Sequence, residues 1–436
     1  MHTEQKYGII AWQNTVWEER AEVTVEKLRM GVIGLGQRGY YNICHYLAKY
    51  RDVEIRIICD LYEDRLERAA TVIREEQGID PICTTDYRQV LNRDLIDVVY
   101  VATAWETHIG ISIDALRAGI ITATEVGGAY SLEECFELVK AYEETRTPFM
   151  LMENCCFNDQ ELLATSAVRA GKLGTVVHCS GAYAHDLREE ITGGNLNRHY
   201  RLRNYLGRNC ENYPTHELGP IARILNITRG NRMVSLVSVA SKACGLDEYI
   251  KENKLYEKDP ALRNAVFRQG DIVNTVITCA GGETILLTLD TTLPRSYNRD
   301  LKVRGTKGLY EMATNSFFFD GMKEQWRTVE YYTGCMNNAK EYYGELMPDV
   351  WKNMTEEDKK SGHGGMDGVM FRIFVEAAKN GSPMPIDVYD AASWMCVTAL
   401  SEKSIAEGGA VQQIPDFTNG KWLSRKPQDV MKLPTD

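Results

Sequence analysis

The chain has 436 residues, 44% of them hydrophobic and 25% charged, with a formal net charge of -11 at pH 7. That length exceeds one ordinary core and predicts two domains of a soluble globular protein. The negative charge without a run of Lys and Arg excludes a nucleic-acid surface, and no stretch has the roughly 18 apolar residues of a membrane span.

Residues 1–27 form an N-terminal extension that lacks the apolar core of an export signal. The 12 cysteines stand singly except for Cys155-Cys156, with no CxxC, which argues against a disulfide scaffold and against a zinc site. Reduced thiols, no metal and a cytoplasmic location are expected.

At Met30-Gly31-Val32-Ile33-Gly34-Leu35-Gly36-Gln37-Arg38-Gly39 an apolar strand runs into a three-glycine turn and a helix start. Gly34 allows the tight turn, Gly36 lets backbone approach a pyrophosphate, and Gly39 lets the helix pack on the strand. Gln37 and Arg38 open that helix beside the anion. The next strand, Val53 to Asp60, ends in an acid about 20 residues past the last glycine, where a carboxylate binds the adenosine ribose and repels a 2′-phosphate. NAD is therefore the expected cofactor, in a domain spanning 28–153.

Strands alternate with helices through that domain, the signature of a doubly wound parallel sheet. The strand at Asp97–Thr103 leads into Ala104–His108, read as a loop at the carboxyl edge of the sheet. Helix 109–118, strand 120–125, a further helix and strand 148–153 follow. Beyond Asn154 the pattern changes to a helix at 159–170 and strands at 175–183, 234–243, 272–280, 284–291 and 300–305, one large, mostly antiparallel open sheet. Residues 154–436 thus form an α+β domain for substrate binding and oligomerisation. Segment 337–365 is the expected mobile loop, and helices at 366–379 and 391–406 end the fold, the last returning to the nucleotide domain.

Several stretches resemble glycoside hydrolase family 109 within the Gfo/Idh/MocA oxidoreductase superfamily. They are Trp105-Glu106-Thr107-His108, Thr124-Glu125-Val126-Gly127-Gly128-Ala129, Glu153-Asn154-Cys155-Cys156, Gly181-Ala182-Tyr183, Arg208–His216, His363–Asp367 and Asp387–Ala392. The resemblance implies an NAD-dependent glycosidase, possible on N-acetylhexosaminides, that oxidises the sugar C3 hydroxyl, removes the C2 proton, eliminates the aglycone, adds water and reduces the ketone again. Such a route needs no pair of carboxylates at fixed separation.

The same resemblance assigns catalysis to His216, Tyr213 and Tyr183. It assigns substrate binding to Glu153, Tyr297 and Arg201, and cofactor contacts to Trp105, His108 and Glu125. Simple dehydrogenases of the superfamily carry Glu-Lys-Pro where this chain has Glu125-Val126-Gly127, so the lysine that handles the hydroxyl is missing. Two departures from the family pattern matter. Thr107 replaces a second aromatic, and Glu217 replaces a glycine after the histidine and would raise the His216 pKa if the two meet. Two other readings stay open, a sugar or cyclitol dehydrogenase and a non-catalytic NAD-binding sensor. The partners expected are a small glycoside and further copies of the chain as a homodimer or higher oligomer.

Overall fold

In the computed structural model, residues 27–322, 334–356 and 358–434 are described. Nearly all of the N-terminal extension lies outside them. Mostly buried apolar runs build the first sheet, Leu28–Ile33 (β1), Val53–Cys59 (β2), Val98–Val101 (β4), Ile121–Thr124 (β5) and Phe149–Leu151 (β6), with Ile82–Thr84 (β3) as an edge strand whose Ile82 is exposed. Met30, Val32, Ile55, Ile58, Val98 and Val99 are fully buried, as expected where helices cover both sides of parallel strands. The order is β3-β2-β1-β4-β5-β6, all parallel, so the chain switches direction between β1 and β4. Doubly wound sheets bind ligands at that crevice.

The helix after the glycine turn, Gln37–Asn42 (α1), continues as a π-helical turn over Ile43–Leu47. Helix α2, Glu63–Gln77, opens with Glu63 and Asp64 and stops at Gly78, whose φ of 71° closes a left-handed cap. One expectation is corrected here: Trp105 to His108 is the first turn of a helix, Trp105–Arg117 (α3), and not a loop. Only Ala104, with extended backbone, stands outside it. Helix Leu132–Thr145 (α4) leads into β6.

The second sheet has eight strands. They are Val176–Ala184 (β7), Met233–Ala240 (β8), Ile272–Cys279 (β9), Thr284–Asp290 (β10), Lys302–Gly305 (β11), Gly308–Glu311 (β12), Ser316–Phe319 (β13) and Gln412–Gln413 (β14), ordered β13-β12-β11-β7-β10-β9-β8-β14. Only β7 and β10 run parallel. The short strands β12, β13 and β14, like β3 of the first sheet, were not read from the sequence pattern.

Thr215–Ile224 (α7) lies against this sheet, Asp159–Arg169 (α5) packs on α7, and Arg201–Gly207 (α6) is tied to the end of β10 through the Tyr205 and Thr291 hydroxyls, 2.6 Å apart. Gly181 on β7 lets α7 come close, since a Cβ there would stand 2.9 Å from the Glu217 Cβ. Segment 337–365, expected as a loop, is a series of short helical turns. It buries Ala339, Leu346 and Met347, and the Trp351 indole donates to the Phe157 carbonyl at 2.9 Å.

Helices Met366–Asn380 (α8) and Val388–Ala406 (α9) complete the fold. A capping box of Asp387 and Asp390 starts α9. Asp390, fully buried, also accepts from Arg229 at 2.7 and 2.9 Å and pairs with Arg223 of α7. Removing one partner of a buried pair leaves an uncompensated charge, so Asp390→Asn is expected to destabilise the fold by about 3–5 kcal/mol in urea unfolding. An unchanged midpoint would refute it. The Ala129 amide donates to the Met395 carbonyl at 3.0 Å, which ties the segment after β5 to α9.

Candidate active site

The glycine turn is built by contacts that exclude a side chain. Gly34 has φ +95°, and a Cβ there would lie 2.5 Å from the Ala102 carbonyl oxygen, while one on Gly39 would lie 2.0 Å from the Gly34 carbonyl oxygen. A Cβ on Gly36 would meet only Arg65 Nη1, 3.6 Å away, so the space above that backbone is open. Asp60, 8% exposed, accepts from the Leu35 amide at 2.7 Å and the Tyr62 amide at 3.1 Å. These bonds fix the carboxylate at the end of β2 while it keeps acceptor capacity for ribose hydroxyls. The turn and the acid together fit the pyrophosphate and ribose of NAD.

Gln37 is exposed at the start of α1. Arg38 turns instead toward the second half of the chain. It donates through Nε to Glu125 at 3.0 Å and through both terminal nitrogens to Asp367 at 2.8 and 3.0 Å. Asp367 also accepts from Asn154 at 2.7 Å and bonds His363 at 2.6 Å. Glu125 takes a further bond from the Tyr100 hydroxyl at 2.6 Å. Arg38 and Glu125 therefore join β5, α1 and α8, a cross-chain network that spacing did not announce.

Trp105 and His108 are both buried on α3. His108 Nε2 lies 3.0 Å from the Thr103 carbonyl, and burial pushes its pKa down. The run after Glu125 is explained by Trp105 and α9. A Cβ on Gly127 would stand 2.7 Å from the Trp105 ring, and one on Gly128 would strike Thr398 Oγ1 at 2.0 Å. Val126 is buried beside them. Thr107 faces solvent and bonds Thr103 at 2.7 Å.

Glu153, just past β6, is wholly buried, and both its oxygens reach His216 Nδ1, at 2.8 and 3.0 Å. The Cys155 amide donates to it at 3.0 Å. Burial works against its charge, but His216 holds the carboxyl below the ordinary range. His216 stands in the first turn of α7, and its ring packs edge-on against Tyr213 and Tyr183, with centroids 4.7 and 5.3 Å away. Tyr183 and Tyr213 are 4.6 Å apart, and Tyr213 leads on to Trp105 at 5.4 Å.

Arg201 of α6, 6% exposed, spans Trp105 and Tyr213, its guanidinium 4.8 and 5.1 Å from their rings. Its Nε lies 2.5 Å from Glu190, and Nη1 is buried with no hydrogen-bond partner. Burial pushes the Tyr183 phenol up, and Arg201 acts against that. Tyr297 is 47% exposed, and its hydroxyl accepts from Arg299 at 3.0 Å.

Two features were missed from sequence. His185 sits 3.4 Å from the Tyr183 hydroxyl through Nδ1, its ring 5.0 Å from Tyr297. Burial, then Arg201, lowers its pKa. The available signal was the two-residue period of β7 continued past Ala184, which sets Tyr183 and His185 on one face. The second is a correction: Glu217 turns away from the imidazole, and Glu153 is the carboxylate that pairs with His216.

Residues 157–424 match the C-terminal domain of glycosyl hydrolase 109, and residues 28–152 match the NAD-binding Rossmann fold of an oxidoreductase family. The chain belongs to glycosyl hydrolase family 109. A family 109 protein of Stenotrophomonas maltophilia is 35% identical, with 92% of this chain and 91% of that one covered. An α-N-acetylgalactosaminidase of Tannerella forsythia is 34% identical over 92% and 88%. Among solved structures, levoglucosan dehydrogenase in complex with NADH superposes with a TM-score of 0.64 at 18% identity, covering 89% of this chain and all of that one, which shows a shared fold. This family 109 chain is an NAD-dependent glycoside hydrolase with a Rossmann cofactor domain. No helix among its described residues is long and apolar enough to cross a membrane.

Proposed function

We propose that the chain hydrolyses glycosides of 2-acetamido sugars, with α-N-acetylgalactosaminides as the first substrates to try. The observation that carries this reading is the His216–Glu153 pair facing Tyr183 and Tyr213, in a chain that has buried Val126 where a dehydrogenase has its lysine. NAD held by the Gly34–Gly39 turn and Asp60 would supply a reversible hydride acceptor for a sugar carbon.

The residues divide the proton work. Glu153 accepts from Nδ1–H of His216, which leaves Nε2 as the free base for the sugar C3 hydroxyl. Tyr183 is the base at C2; burial holds its phenol up, Arg201 offsets part of that, and His185 Nδ1, 3.4 Å from the hydroxyl, is the acceptor for its proton. Tyr213 and Trp105 form an aromatic floor, and the free Nη1 of Arg201 binds a substrate oxygen. Tyr297 borders the aglycone.

The test is turnover of chromogenic α and β glycosides, with and without 2-acetamido groups, in D2O. Deuterium at C2 of the released sugar without net NADH is expected. Unlabelled C2 would refute the elimination, and steady NADH release from free sugar would favour a dehydrogenase.

A strap supports a cofactor that stays bound. Arg198 donates to both oxygens of Asp64 on α2 at 2.9 and 2.7 Å, while Arg65 reaches the Asn197 and Arg198 carbonyls at 3.2 and 3.4 Å, beside Asp60. Arg198→Ala is expected to speed loss of NAD during dialysis, followed as NAD per chain; wild-type retention would show that the strap does not hold it.

All twelve cysteines are free thiols, which supports a reducing, cytoplasmic setting. Val239 and Val276 are exposed on one face of the second sheet and support association of copies through that face, which light scattering would read as a homodimer or higher oligomer.

A further inference from the structure

Glu211 and Glu217 bracket the short segment that carries Tyr213 and His216. Both side chains are buried, at 0% and 2% exposure. None of their four carboxyl oxygens is satisfied by a donor of good geometry, although the two carboxyls lie within hydrogen-bonding reach of each other. Two carboxylates are acceptors only and repel; a carboxyl and a carboxylate that share one proton form a strong bond.

The groups around the pair supply no counter-charge. Glu153, from the end of β6, faces Glu217 and is itself acidic. From β7, Gly181 meets Glu217 with backbone alone. From α9, Ser401 and Thr398 bond the Glu211 main chain, and Glu402 is held by Arg208. Cys210 faces Glu211, its thiol raised by burial, and the Tyr213 amide is the backbone donor nearest Glu211. Burial first, and for Glu217 the Glu211 charge next, hold both carboxyls above the ordinary range.

We propose that Glu211 and Glu217 share one proton and form a clasp that closes the loop holding Tyr213 and His216, as positioning residues for the site. This rests on the catalytic role proposed for those two side chains. The clasp is a single O–H···O bridge, and no other reactant takes part. When base removes the shared proton, two negative charges face each other in a cavity without a cation, and the loop loses its closure.

The sign follows from linkage. With raised carboxyls the folded protein binds more protons than the unfolded chain above the ordinary carboxylate range, so the contribution is present at lower pH and is lost as pH rises through the raised value. The alkaline fall in kcat/KM is expected to track it.

Glu211→Gln keeps a hydrogen bond to Glu217 in either protonation state, so the alkaline limb of its kcat/KM profile is expected to move upward by at least about one pH unit. Glu217→Gln makes the same test should the first variant not fold. Infrared difference spectra of the unaltered enzyme need no variant. They are expected to show a protonated carboxyl band that bleaches over the pH range in which activity falls. Unmoved alkaline limbs in the folded variants, or no such band, overturn the clasp. If His216→Ala retains activity, the site reading itself fails; if that variant is inactive while the limbs do not move, the clasp alone fails.

Discussion

Glu153→Gln is expected to lower kcat/KM on glycosides by about 10²–10⁴-fold, the range of a lost general base, while the protein stays folded. The carboxylate lies at the end of β6 with no exposure, and its two oxygens hold one imidazole nitrogen. An acceptor on Nδ1 forces the proton onto that nitrogen and leaves Nε2 with a lone pair. Glutamine can offer its NH2 to Nδ1 instead, which places the proton on Nε2 and presents a donor where the sugar hydroxyl needs a base. His216→Ala removes the same function and is expected to fall in the same range.

The two variants differ in pH behaviour. The Glu153 carboxyl is held below its ordinary value, so its contribution to stability is present above the unfolded value near ~4.3 and is lost as pH falls through the lowered one. Glu153→Gln should therefore flatten the acid side of the stability curve. Thermal unfolding against pH checks that, and wild-type kcat/KM in Glu153→Gln would sink the assignment.

What was legible in the chain follows the range of the forces involved. The turn from Gly34 to Gly39, the acid at Asp60 and the strand ending in Tyr183 are local patterns, set by neighbours within one or two elements. The partner of His216 was not legible, because Glu153 lies 63 positions away and only the packing of α7 on the end of β6 brings them together. Arg38 shows the same limit. Its place beside the glycines suggested the cofactor, yet its guanidinium spans 329 positions to Asp367. Trp105 escaped as a helical residue because Ala104 and Thr103 give no capping side chain, and the turn is ordered by burial of Trp105 and His108. Glu217 was placed correctly in sequence, beside His216. Consecutive residues on a helix point about 100° apart, which sends its carboxyl to Glu211.

Gly39→Ala and Gly36→Ala are expected to fail in different ways, although both add one methyl group to the same turn. On Gly39 the new carbon would lie 2.0 Å from the Gly34 carbonyl oxygen and 3.3 Å from the Ala102 Cβ. The first of these is backbone held between β1 and β4, so it cannot swing aside as a side chain could. Helix α1 must then lift from the sheet, and it would take Arg38 away from Glu125 and Asp367. Overpacking of this kind costs about 1–3 kcal/mol, and the strained ion pairs add to it. Gly39→Ala should unfold at distinctly lower urea concentration and purify without NAD. On Gly36 the methyl group meets only the far end of Arg65 at 3.6 Å, so the fold should keep its urea midpoint. The methyl group would instead occupy the open space where a pyrophosphate must approach backbone, and NAD per chain should fall while stability does not. Full NAD content in Gly36→Ala would show that the cofactor does not cross this turn, and a wild-type midpoint in Gly39→Ala would show that α1 is free to move where the packing says it is fixed.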